Sequence, residues 1–175
     1  MNTNQYKSTR IYVTTALFAA LIFLVTAYIL HIPTPATGGY IHLGDSFLYL
    51  AASILPAPFA IAAGGIGEAL SDALTGSVVY ALPTLLIKSA MVVCFSSMGK
   101  KIVTKRNIVA AVIAGAICIV GYYLTEAVIY RNFLSPLVEI PANFIQMGAS
   151  AVIYILLGNA LDRLDMKNRI NANLS

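Results

Sequence analysis

Seven side chains able to carry charge or donate several hydrogen bonds lie where the surrounding sequence is almost wholly apolar. They are Asp45, Glu68, Asp72, Lys88, Glu126, Asn143 and Gln146. Their spacing groups them. Glu68 and Asp72 are four apart, so a helix would place both on one face. Tyr80, Thr84 and Lys88 repeat every four residues, Tyr122, Tyr123 and Glu126 fall within one turn or so, and Glu139, Asn143, Gln146 and Ser150 form a further stripe. Carboxylates, amides, phenols and one ammonium in this arrangement suit gripping a small polar solute. They also suit proton exchange, or plain neutralisation of one another. Covalent catalysis is not indicated: no Ser/His/Asp grouping serves, and catalytic residues are expected to be none. His31 and His42 have no carboxylate or cysteine at ligand spacing, and Cys94 and Cys118 read as small packing residues, so no metal site is expected. No Gly-x-x-x-x-Gly-Lys-[Ser/Thr] run is present, so this chain is not expected to hydrolyse ATP by that route.

The elements that must position these groups follow from hydropathy and charge. The sequence is 59% hydrophobic and 10% charged, with a mean hydropathy of +0.82, against about 25% charged in ordinary soluble domains. Six apolar stretches predict helices at about 11–30, 45–55, 59–74, 78–98, 108–130 and 138–161. Of eleven Lys and Arg, nine fall on one side of these stretches: Lys7, Arg10, Lys100, Lys101, Lys105, Arg106, Arg163, Lys167 and Arg169. Only Arg131 falls opposite, and Lys88 lies within a stretch. Cationic loops stay on the cytoplasmic side, so the expectation is an all-α integral membrane protein, a six-helix transmembrane bundle with both termini cytoplasmic. It forms a single domain over residues 1–175, multi-pass in a prokaryotic-type cell membrane. The net charge of +4 matches loops facing anionic lipid and does not call for nucleic acid.

With that topology every buried carboxylate, the lysine and the buried amides fall in the outer half, and the inner halves read as nearly featureless hydrocarbon. An ionisable group at mid-bilayer costs at least about 2.5 kcal/mol. A channel or proton relay needs such groups on both sides of the midplane, whereas a cup open to the outside needs them on one. The cup reading takes Tyr80, Thr84, Lys88, Tyr122, Tyr123, Glu126, Asn143 and Gln146 as substrate-binding residues. The Pro/Gly-rich segment from His31 to Gly44 is then a non-helical lid carrying His31, Tyr40 and His42. Asp45, Glu68, Asp72 and Lys88 equally fit a structural network, Asn143 and Gln146 fit interhelical bonding, and the tyrosines fit an interfacial belt. Ala16 and Ala20 give helix one a small-residue face, suited to ordinary packing or to docking a second membrane protein.

Three features together resemble the substrate-binding S component of an energy-coupling factor (ECF) vitamin transporter. They are Ala16-x-x-x-Ala20, the run Gly39-Tyr-Ile-His-Leu-Gly-Asp45, and Gly64-Gly-Ile-Gly-Glu-Ala-Leu-Ser-Asp72 followed by Thr75-Gly76 and Pro83 through Lys88. The resemblance spans residues 10–162 and is nearest the riboflavin, pantothenate, pyridoxine and hydroxymethylpyrimidine branch. It implies a vitamin pocket in the outer half, built from helices four to six and capped by the loop after helix one. It also implies docking through helix one onto a transmembrane coupling protein driven by two cytoplasmic ATPase subunits, with ATP used by those partners and no cofactor in this chain. Pyridoxine or hydroxymethylpyrimidine is the expected ligand. The competing expectation is a self-sufficient ion-coupled secondary transporter with Glu68, Asp72 and Glu126 as proton sites.

Overall fold

The computed structural model describes residues 3–29, 31–34 and 39–174. Helix α1 (Thr3–Tyr28) leads into a two-stranded antiparallel hairpin, β1 (Ile32–Thr34) with β2 (Gly39–Ile41), in which Pro33 faces Tyr40. Helices α2 (Gly44–Ile54), α3 (Ala57–Thr75), α4 (Ala81–Val93), α5 (Lys105–Ile129) and α6 (Ile140–Arg163) follow. A short helix, α7 (Met166–Leu174), comes last. Single 3₁₀ turns, Val78–Tyr80 and Ser135–Glu139, lead into α4 and α6. Among the described residues three segments are long and apolar enough to cross a membrane, namely Thr9–Tyr28, Lys105–Ile129 and Ser135–Arg163, and Val78–Val93 is a shorter apolar one. Large apolar side chains such as Leu17, Leu82, Val112, Ile145 and Leu156 are more than half exposed. Helices apolar on every face belong in lipid.

Local sequence explains the boundaries. Pro56 and Pro58 end α2 and start α3, since proline fits a first turn and not an interior. Gly76, at φ 99°, takes the left-handed cap that closes α3. Thr104 caps α5 by accepting from the Asn107 N–H at 3.1 Å. The Gly64-Gly65-Ile66-Gly67 run makes α3 the hub. A β-carbon on Gly67 would lie 2.8 Å from the Ala19 carbonyl oxygen of α1, on Gly64 3.0 Å from Leu48 of α2, and on Gly65 2.9 Å from Leu85 of α4. Three neighbours therefore approach α3 on three sides, as only hydrogen side chains permit.

Several expectations need correction. The fourth helix ends at Val93 rather than near residue 98, because Cys94–Thr104 folds back as an irregular loop. Helix α1 starts well before residue 11, and its predicted end at Leu30 lies outside the described residues, as do residues 35–38 of the lid. The lid carries strand pairing that its Pro and Gly content concealed, and α7 was not foreseen. Nor is the end of the bundle opposite the hairpin featureless. Asn107, buried, donates to the Ser96 carbonyl at 3.0 Å, the Ile102 carbonyl at 3.1 Å and Ser53 Oγ at 3.3 Å. Tyr154 donates to the Ile102 carbonyl at 2.9 Å and pairs with Ser53 Oγ at 2.9 Å. Asp162 accepts from the Ile102 and Val103 N–H groups at 2.7 and 3.0 Å. This polar knot fastens the 94–104 loop across the base, against stacked Tyr49 and Phe95 and the edge of Tyr154.

Candidate functional site

Every polar stripe read from the sequence reaches the hairpin end of the bundle. There, α2, α4 and α6 begin, and α3 and α5 finish. Helix α2 starts with Asp45, completely buried, whose Oδ1 receives the Lys88 ammonium of α4 at 2.6 Å. Lys88 Nζ also lies 3.2 Å from Glu68 Oε2 on α3 and 5.5 Å from the Tyr122 ring centroid on α5. One ammonium thus holds two carboxylates from two helices, in a place where none of the three touches water. Such a group is stable only with close geometry and its lone pairs satisfied. Gln146 of α6 contributes to that by donating to Asp45 Oδ2 at 2.9 Å and accepting the His42 N–H at 3.0 Å. Those two bonds fix the orientation of the amide.

His42 is where the lid meets this floor. Its Nδ1 accepts the Gly44 N–H at 3.1 Å, which places the ring proton on Nε2, 3.5 Å from Glu68 Oε2. Burial lowers its pKa from 6.5 to about 3, so the ring is neutral at ordinary pH. His42, Asp45 and Glu68 each offer one ligand atom within a 4.8 Å span, a geometry able to hold a metal ion. The Lys88 ammonium lies against both carboxylates and supplies the positive charge there. No spacing in the sequence announces this cluster, because its members are brought together only by folding.

Above the floor is a narrow cleft, roofed by the hairpin through Thr34, Tyr40, Ile41 and His42. Its walls are Glu68 and Asp72 on α3, Tyr80 ahead of α4, Tyr122 and Glu126 on α5, and Glu139, Asn143 and Gln146 at the start of α6. The hairpin is fastened to α3 where the Tyr40 hydroxyl donates to Asp72 Oδ1 at 2.6 Å and lies 3.1 Å from Ser71 Oγ. His31 stacks on Tyr40 with centroids 3.9 Å apart. Thr84 and Tyr122 pair at 2.9 Å, and Tyr80 and Tyr130 at 3.3 Å.

The structure therefore gathers Tyr40, His42, Tyr80, Tyr122, Glu126, Asn143 and Gln146 around one cleft. Lys88 lies beneath it and Thr84 behind Tyr122. His31 backs the lid without lining the space. Tyr123 is elsewhere: its hydroxyl donates to the Phe133 carbonyl at 3.0 Å, tying α5 to the following loop. Thr34, Ile41, Glu68, Asp72 and Glu139 line the cleft although they were not among the predicted contacts. The helical stripes could have indicated the three carboxylates, whereas the lid residues carry no such signal. Cys118, buried, lies 3.8 Å from Lys88 Nζ. Ala16 and Ala20 are exposed on the outer face of α1.

Comparison with known proteins agrees with this geometry. A Pyrococcus woesei protein described as "Uncharacterized protein in gap 3'region" is 33% identical over 107 residues, covering 61% of this chain and 72% of the relative. The family model described as ECF-type riboflavin transporter, S component, matches residues 6–163. That match runs from α1 through α6 and includes every residue of the cleft, and the chain belongs to this family of membrane-embedded, substrate-binding transporter subunits.

Proposed function

We propose that this chain captures a small water-soluble vitamin or vitamin precursor from outside the cell and hands it to an ATP-driven ECF module. In this reading six helices span the membrane with both termini inside, and the hairpin end of the bundle faces out. The observation that carries the proposal is the one-sided cleft. Its wall is polar and aromatic, its roof is a hairpin fastened by Tyr40, and its floor is closed by the Asp45–Lys88–Glu68 cluster. Tyr80 and Tyr122 offer ring faces and edges to a flat heterocycle, and Asn143 and Gln146 offer amides for ring nitrogens and hydroxyls. A one-ring compound such as pyridoxine or hydroxymethylpyrimidine suits a narrow cleft whose walls are already bonded to one another. Riboflavin is the second reading, favoured by the description of the matching family.

Docking would use α1, where Ala16 and Ala20 leave a shallow, exposed strip on which another helix can lie closely. Its partners are a transmembrane coupling protein and two cytoplasmic ATPase subunits. The test is titration of the purified chain in lipid nanodiscs with pyridoxine, hydroxymethylpyrimidine and riboflavin. Saturable, one-to-one binding of one of them is expected, without ATP or partner subunits. Uptake by this chain alone in proteoliposomes, driven by a pH gradient, would instead establish an ion-coupled carrier.

A further inference from the structure

Among the cleft carboxylates that keep a buried oxygen without a hydrogen-bond partner, Glu68 faces the Lys88 ammonium at 3.2 Å, whereas Asp72 is bonded to the lid. Asp72 is 5% exposed. Oδ1 takes the Tyr40 hydroxyl at 2.6 Å, whereas Oδ2 is buried without a hydrogen-bond partner. Thr84, on α4, pairs with the Tyr122 hydroxyl at 2.9 Å, and its own hydroxyl also neighbours the Asp72 carboxylate. Lys88 is committed to Asp45 and Glu68 at 2.6 and 3.2 Å. The rest of the wall adds Glu68, Glu126 and Glu139, and among the described residues no Lys or Arg lines it. A carboxylate oxygen left dry beside a cavity is satisfied by whatever fills that cavity.

We propose that the ligand is a heterocycle that presents a protonated amino group to Asp72 Oδ2, and that anionic vitamins are excluded. This rests on the reading of the cleft as a vitamin site. It narrows the substrate class by charge: compounds carrying a carboxylate meet a wall of like sign, and an ammonium meets an acceptor already in place.

The experiment uses the full chain in nanodiscs and matched pairs differing only in charge. The pairs are pyridoxamine against pyridoxine, and 4-amino-5-aminomethyl-2-methylpyrimidine against its 5-hydroxymethyl counterpart. Pantothenate serves as the anion and riboflavin as the non-basic ring. In at least one pair the amine should bind about tenfold or more tighter than the alcohol. Asp72→Asn keeps an acceptor for Tyr40 and removes the charge, so it should abolish that preference. A melting measurement confirms that the variant is folded. Saturable binding of pantothenate or riboflavin, with no preference for either amine, overturns the charge assignment and leaves the vitamin-binding reading standing. A preference that survives Asp72→Asn overturns the role of Asp72. Failure of a folded chain to bind any of the six compounds overturns the vitamin-binding reading itself.

Discussion

Replacing Lys88 by methionine is the most demanding test of the architecture. The side chains are of similar length, so the change removes the charge with little change of volume. It leaves Asp45 and Glu68, 0% and 1% exposed at the side chain, without the ammonium that lies 2.6 and 3.2 Å from them. At an effective dielectric of about 20, unit charges at those distances attract by about 5 to 6 kcal/mol each. Carboxylate repulsion and the desolvation of all three groups offset most of that. The net loss on removing one partner of a buried ion pair is about 3–5 kcal/mol. For a chain of this size that corresponds to a fall in melting temperature of roughly 10 °C, read by scanning calorimetry in detergent. Asp45→Asn added to Lys88→Met removes one stranded charge and should recover part of the loss. The two changes then couple by more than about 1 kcal/mol in a double-mutant cycle. A Lys88→Met chain melting within about 2 °C of the parent would refute the reasoning, since the cluster would then carry no net stabilisation.

The remaining predictions concern binding, docking and acid sensitivity. Asn143→Ala should weaken ligand binding by about tenfold, the scale of one buried hydrogen bond. Gln146→Leu should do more, because it also strips the bond to Asp45 Oδ2; unchanged affinity in both would move the site away from α6. Ala16→Trp or Ala20→Trp should abolish uptake with the partner subunits and leave ligand affinity intact, and loss of binding as well would show that α1 packs inward there. His42 sets an acid limb. Its folded pKa of about 3 lies below the unfolded 6.5, so the unfolded chain gains a proton first and stability falls as pH drops below about 6.5. The expected loss is about 2 kcal/mol between pH 7 and pH 5. A His42→Gln chain should melt with a smaller drop over that interval; an equal drop would assign the acid limb to other groups.

What could be read from the sequence, and what could not, divides along a physical line. Helical periodicity is local, so the stripes Glu68–Asp72, Tyr80–Thr84–Lys88 and Asn143–Gln146 were visible as stripes, and α2, α3, α5 and α6 lie where their apolar runs predict. Contacts between stripes are not local. Nothing near His42 in the chain marks Glu68 as its neighbour, and nothing near Asn107 marks Ser53 and Ser96. The lid misled for a different reason. Its Pro and Gly content signals a turn, while the pairing of Ile32 with Ile41 depends on a register that short, mixed strands do not announce. The carboxylate Asp72 was read as one of a network, and only the geometry separates its bonded oxygen from its bare one.

The aromatic and polar base of the bundle sets how well the membrane is insulated while the cleft stands open. Cys118, level with the Lys88 floor, is 13 residues from the start of α5 at Lys105. At 1.5 Å per residue, that leaves about 20 Å of packed protein beneath the floor. Tyr49, Phe95 and Tyr154 fill it, and Ser53, Asn107 and the Ile102 carbonyl bind one another rather than a file of water. No rotation of a single side chain opens a path through such a plug. A solute reaching the floor can go further only if the protein moves as a body or its helices part widely. The same packing opposes protons and small ions, since an ion placed there would lie among apolar side chains and polar groups already bonded to one another.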